Sequence, residues 1–202
     1  MVLIAKGDQI LTERAYGKAD FQHNLAMQLG TRFRIASLSK TFTAAAIELL
    51  VARGGLSLKD PLSKYLSGIR NGDKITIEQL LTHESGVGQL DTADMYRDCL
   101  TNEEIIRRLR ITPPSFSPGT NSRHSNEGYF LLAIVIEKVA GISYAAFLQK
   151  EMFDPLGLAN TGSACKELPP GPNATGHVPD AKADSVTPLP FNEAAMIGPG
   201  SL

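Results

Sequence analysis

The chain has 202 residues, a formal net charge of −1 and a hydrophobic content of 43% against 20% charged. This composition can bury a core and is too apolar for a disordered chain. Its near-neutral balance gives no electrostatic reason to expect nucleic acid or an anionic membrane surface as a partner.

The first residues, Met1-Val2-Leu3-Ile4-Ala5-Lys6-Gly7, hold too few apolar positions for a signal peptide, and no stretch of the chain approaches a membrane span. As written, the chain is expected to be cytoplasmic, or periplasmic or secreted if a further segment precedes it. Val2 to Ala5 and Gln9 to Arg14 flank the turn Lys6-Gly7-Asp8, which predicts a β-hairpin. From about Ser37 to Arg53 an alanine-rich helix is expected: Phe42, Ala45, Ala46, Leu49 and Leu50 recur at helical spacing, and Gly54-Gly55 supply a stop. Next comes an ordered segment, Leu58 to Leu66, and a helix beginning near Thr76 that carries Ile77, Leu80 and Leu81.

A polar, helix-compatible region runs from Asp91 to Leu109 and breaks at Pro113-Pro114 and Pro118-Gly119. The longest apolar helix is expected from Asn126 to Ala140, where Phe130, Leu131, Leu132, Ile134, Val135 and Ile136 crowd several faces, the mark of a core helix. A partner helix follows from Tyr144 to Met152, and beyond Cys165 the chain is proline-rich and reads as loop. The fold class is α+β with helices dominating: a single partial domain made of a hairpin region 1–30, a helical region 31–160 and a loop-rich region 161–202.

Chemistry enters at Ser37 and Lys40, three residues apart at the start of the first helix. Residues at i and i+3 share a helix face, so Lys40 can reach Ser37 across one turn, and the free N–H groups of a helix start favour developing negative charge. A serine hydroxyl needs such a neighbour to act as a nucleophile at neutral pH. The bland alternative is a helix N-cap serine. A second S-x-x-K match, Ser163-Ala164-Cys165-Lys166, runs into Pro169-Pro170 and has no helix to align it. Cys99 and Cys165 form neither C-x-x-C nor a His-containing ligand spacing, which argues against zinc and makes two free thiols the plainer reading over a disulfide.

Six blocks in order together resemble one family. They are Arg14 to Asp20, Phe33 to Ala46, Leu58-Lys59-Asp60-Pro61 with Tyr65-Leu66, Ile77 to Gly86 (I-E-Q-L-L-T-H-E-S-G), Ser117-Pro118-Gly119-Thr120 leading to Ser125-Asn126-Glu127-Gly128-Tyr129, and Asp154 to Leu158. The family is that of the penicillin-binding, serine β-lactamase-like hydrolases, which includes class C β-lactamases, D-alanyl-D-alanine carboxypeptidases and related esterases. The resemblance implies acyl transfer through a covalent serine ester, with Ser37 as nucleophile and Lys40 as its base. It implies a small-molecule substrate (a β-lactam, a D-Ala-D-Ala-like amide or a small ester) and neither metal nor organic cofactor.

The chain departs from the family pattern twice. Where relatives carry tyrosine-x-asparagine, this chain has His124-Ser125-Asn126, so His124 stands in the place of a tyrosine proton relay. Asn126 keeps its place, with an amide able both to donate to and to accept from a substrate amide. The third motif, a lysine- or histidine-containing triad ending in glycine on a strand, is absent through Leu202, and with it one donor of the oxyanion hole. An incomplete sheet leads to the expectation of a homo-oligomer or domain swap that covers its open edge. The rival reading is a binding protein that is acylated without turnover. His83, Glu84, Phe116 and Tyr129 are expected in structural roles, while His23 and His177 show no recognisable partner.

Overall fold

The computed structural model describes residues 1–90, 100–162, 172–179 and 186–188. The Asp91–Cys99 part of the polar region, Cys165, the second S-x-x-K match and the last residues lie outside them. The chain divides into two compact units, one of Met1–Arg34 with Leu168–Phe191 and the other of Ile35–Glu167 with Asn192–Leu202.

In the first unit, β1 (Val2–Lys6) and β2 (Gln9–Arg14) form the expected antiparallel hairpin. Gly7, at φ 58, supplies the left-handed residue that the tight turn needs. A register shift between Ile4 and Ala5 marks a bulge. β3 (Lys18–Asp20) pairs with β4 (Leu25–Ala26), and β5 (His177–Pro179) pairs with β6 (Val186–Pro188). The region read as loop therefore contains a short strand pair; three-residue strands bounded by proline carry too little periodicity to be recognised.

Asp20, only 6% exposed, ties this unit together. Its carboxylate accepts bonds from the His23 amide at 2.9 Å, the His23 ring at 3.0 Å and the Thr175 hydroxyl at 2.8 Å. His177 packs edge-on to the Phe21 ring at 5.4 Å. Both histidines thus have partners that the sequence did not reveal.

The second unit is helical. α1 (Ser39–Ala52) buries Ser39, Lys40, Thr43, Ala46, Ile47 and Leu50, a stripe at three- and four-residue spacing. It ends as expected at the glycines: Gly54 has φ 72, and the Gly55 amide bonds back to the Leu50 carbonyl. α2 (Ile77–Leu81) opens with a capping box in which Thr76 and Gln79 satisfy each other's amides. α3 spans Asn102–Ile111 and α4 Asn126–Ala140, the latter with the predicted bounds. Ser125 caps α4 by accepting the Gly128 amide, and Gly141 closes it in the left-handed region. α5 (Tyr144–Leu148) continues as a π-helical turn over Gln149–Phe153.

α4 is the core: Leu131 to Ile136 are each at most 2% exposed, and α1, α2, α3 and α5 all pack on it. No single helix among the described residues is long and apolar enough to cross a membrane. α4 and the Tyr144–Phe153 segment reach that length and composition only together, with a 74° bend between them.

Candidate active site

The nucleophile segment differs from expectation in one respect. Ala36–Leu38 form a 3-10 turn, and the α-helix begins only at Ser39. Ser37 thus lies in the 3-10 turn and Lys40 in the first turn of the α-helix, three residues apart across the junction, close enough for their side chains to meet. Leu38, not Ser37, occupies the cap position of α1, and no side chain caps it, so the N-cap reading of Ser37 does not describe this helix. Ser37 is exposed, and the residue before it, Ala36, is held at φ 44. Four described non-glycine residues have positive φ; two are asparagines and one is His83, types that adopt it more often than most, and the fourth is Ala36. Backbone strain of this kind persists only where surrounding structure enforces it.

Lys40 is 8% exposed. Its Nζ lies 3.0 Å from Ser37 Oγ and 2.8 Å from Asn126 Oδ1, and 5.6 Å from the Tyr129 ring centroid. Burial pushes its pKa down from the ordinary lysine value, and the negative charge of Glu127 partly opposes that shift. Ser37, Lys40 and Asn126 are therefore brought together by the starts of α1 and α4, although 86 residues separate Lys40 from Asn126.

His124 is placed differently. It is exposed, its ring centroid is 5.0 Å from that of His83, and no hydrogen bond joins it to Ser37 or Lys40 among the described residues. It lines a shallow cleft with Ser85, Val87, Ser115, Phe116 and Arg123.

What holds the start of α4 is the pairing of two sequence blocks. The Ser115, Gly119 and Arg123 amides donate to the Gly86, Glu84 and His83 carbonyls at 2.9, 2.9 and 3.0 Å. Gly86 is required here: it has φ 64, and a Cβ would stand 2.1 Å from the Phe116 carbonyl oxygen. The T-H-E-S-G block and the segment leading to Asn126 are thus one piece of structure.

Three residues gain importance that the sequence reading did not assign. Glu127 is 4% exposed; its carboxylate accepts the Leu90 amide and the Ser125 hydroxyl, both at 3.0 Å. An acid in the first turn behind a serine cap was the available signal, but that pattern equally suits an exposed capping carboxylate. Tyr129, the core aromatic expected, also underlies Lys40 and donates its hydroxyl to the Leu81 carbonyl at 3.1 Å. His83 Nδ1 accepts the Ser125 amide at 3.2 Å. Among the described residues, no group of three or more His, Cys, Asp or Glu side chains is placed to hold a metal ion.

An α+β chain with a serine and a buried lysine at the head of one helix and an asparagine at the head of the next has the β-lactamase/transpeptidase-like fold. The family model "Beta-lactamase" matches residues 1–201, and the chain belongs to that family. It is 34% identical over 176 residues to penicillin-binding protein 4* of Bacillus subtilis, an alignment covering 84% of this chain and 39% of that protein. It is 33% identical to esterase EstB of Burkholderia gladioli, covering 83% of this chain and 47% of that one. Among solved structures, D-amino acid amidase from Ochrobactrum anthropi SV3, complexed with L-phenylalanine, superposes with a TM-score of 0.87 at 25% identity, covering 98% of this chain and 60% of that one. The chain thus spans less than half the length of either curated relative.

Proposed function

We propose that this chain carries the acyl-transfer site of a serine hydrolase, with Ser37 as nucleophile, Lys40 as general base, Asn126 as substrate and lysine contact, and His124 as proton relay to the leaving group. The observation that carries this reading is the Nζ of Lys40, a buried residue, within hydrogen-bond distance of both Ser37 Oγ and Asn126 Oδ1.

A neutral Lys40 accepts the Ser37 hydroxyl proton through its lone pair while one of its N–H groups donates to Asn126 Oδ1. Burial favours that neutral form. Ser37 Oγ then attacks a carbonyl carbon, the proton passes to Lys40, and collapse of the tetrahedral intermediate expels an amine or alcohol, which takes a proton through His124 or from Lys40. Water attacks the resulting serine ester, with the proton path reversed, and releases the acid. The substrate class is a carbonyl compound with an amine or alkoxide leaving group: a D-amino-acid amide or peptide, a β-lactam, or a small ester. The names of the penicillin-binding, esterase and amidase relatives support that range.

One observation favours a second reading, in which Ser37 is acylated but released slowly. The relay position is taken by a histidine whose ring lies tilted beside that of His83 and, among the described residues, makes no hydrogen bond to Ser37 or Lys40. Intact-protein mass after exposure to a penicillin and, separately, to an activated ester tests both, with Ser37→Ala as control. An adduct on the parent alone supports the nucleophile, and its decay or persistence separates hydrolase from binder. No adduct from either reagent refutes the reading for this chain.

A further inference from the structure

His83 was expected to be a structural residue, and its surroundings give it a more specific task. It follows α2 with φ 63, in the left-handed region that few non-glycine residues adopt. That backbone turn leaves its carbonyl accepting the Arg123 amide and its ring Nδ1 accepting the Ser125 amide. The ring is half-buried between His124, at 5.0 Å, and Tyr129, at 5.3 Å. One residue thus grips the backbone on both sides of His124, and the residue that follows Ser125 is Asn126, whose Oδ1 meets Lys40.

Ser125 is 7% exposed, so its amide has little access to water if the His83 bond is lost. An imidazole accepts at Nδ1 only when that nitrogen is deprotonated, with the proton on Nε2. A protonated ring would turn an N–H toward the Ser125 N–H, replacing an attraction by a repulsion.

We infer that His83 is the positioning residue of the site: its neutral ring holds the His124–Asn126 segment against Lys40 through the Ser125 amide, and protonation of that ring releases the segment, so that acid disables the site. This rests on the acyl-transfer reading for its effect on rate, but not for the contact itself.

The titratable groups that act on the His83 ring are Lys40 from α1, His124 from the segment before α4 and Tyr129 from α4. Arg123 meets His83 through its backbone amide, Glu84 adjoins it in sequence, and Glu127 at the start of α4 is bonded to Ser125 and Leu90. Burial, then His124, then Lys40 push the His83 pKa below the ordinary histidine value. A base with a depressed pKa stabilises the native state above its unfolded value, near 6.5, and that contribution is lost as pH falls below it toward the folded value. Release of the segment is therefore expected on the acid side of the ordinary histidine value.

Two variants separate the acceptor from the strained backbone. His83→Gly relieves positive φ and removes the acceptor; His83→Asn tolerates positive φ and offers an Oδ1 that accepts without titrating. Nitrogen-15 NMR of the parent between pH 4.5 and 8 should show the His83 proton on Nε2 at the upper end. The Ser125 amide resonance should move on the same titration as the His83 ring. Acylation by 4-nitrophenyl acetate, followed by intact mass, should fall on the order of ten- to a hundredfold in His83→Gly. His83→Asn should restore most of that loss and drop the part of the acid limb that tracks His83, leaving the part due to Lys40.

A Ser125 amide indifferent to the His83 titration overturns the inference. So does a His83→Gly protein that acylates at the parental rate, or a His83→Asn protein with the parental acid limb. If the parent takes up no acyl group while the Ser125 amide still follows His83, the acyl-transfer reading fails and the positioning contact stands.

Discussion

The hairpin of the first unit and the core helix of the second are built from similar residues with opposite outcomes. In α4 the apolar run Leu131 to Ile136 is at most 2% exposed, whereas in β1 every residue is exposed, with Leu3 at 52% and Ile4 at 50%. A helix that is apolar on several faces recruits neighbours on each of them. A two-strand ribbon has two faces and two edges, and is marginal until something covers them. The chemistry-bearing side chains Ser37, Lys40 and Asn126 all sit in the unit whose core is closed, where rigid helix starts hold them.

The largest effect should come from that closed unit. Lys40→Ala removes the base and should slow acylation of Ser37 by about 10² to 10⁴, measured as the rate of adduct formation by mass spectrometry; acylation at the parental rate would show that the burial around Lys40 serves packing alone. Glu127→Gln tests the same lysine with its packing left intact. Removing that negative charge lowers the Lys40 pKa further, so a larger neutral fraction is present at a given pH and the Lys40 acid limb should move to lower pH. A limb that moves up, or stays, contradicts the assignment of that limb to Lys40.

Stability measurements sharpen the comparison next. Leu132→Ala in α4, at a fully buried position, should cost about 2–5 kcal/mol in urea unfolding. Leu3→Ser in β1 should change stability by no more than about 0.5 kcal/mol. If the two cost the same, the hairpin is covered in solution and the contrast between the units disappears. Two glycines make the same comparison on the backbone. Gly7→Ala meets nothing within 4 Å and bears only the strain of φ 58, about 1–2 kcal/mol. Gly86→Ala bears similar strain at φ 64 and also collides with the Phe116 carbonyl, so about 1–3 kcal/mol should be added. Gly86→Ala should slow acylation as well, because the Gly86–Ser115 bond belongs to the pairing that holds the start of α4.

The helices were legible where local signals agreed. α4 has its bounds written in Ser125 and Gly141, a cap and a left-handed stop around an apolar run, and the β1–β2 turn is written in Gly7-Asp8. The 3-10 turn at Ala36–Leu38 was not legible, because the strain at Ala36 is imposed by tertiary structure and leaves no composition signal. For the site, Ser37 and Lys40 are recognisable by local spacing, whereas the family resemblance singles out Asn126 as a substrate contact and its bond to Lys40 is seen only in the structure. Glu127 and His83 act through backbone amides of Leu90 and Ser125, and a side chain's choice of a distant amide has no periodicity to read.

The smallest effect concerns acid, and again one carboxylate in each unit. Asp60 accepts bonds from Lys64, the Tyr65 hydroxyl and the Ser57 amide, and these hold its carboxyl down to about 2 from 3.8, with Lys64 the largest cause. Asp20 is also pushed well below the usual carboxylate range, first by the His23 amide and then by the His23 ring and Thr175. For a carboxylate with a depressed pKa, the stabilising contribution is present above the unfolded value and is lost as pH falls toward the folded one. Thermal midpoints should therefore drop between pH 4 and 2, and Asp60→Asn should flatten that slope by removing the titrating group. Asp20→Asn should flatten it further toward lower pH, since its carboxylate holds its charge longer. Equal slopes in the parent and Asp60→Asn would mean that the Lys64 and Tyr65 contacts, though formed, persist after protonation and contribute no pH dependence.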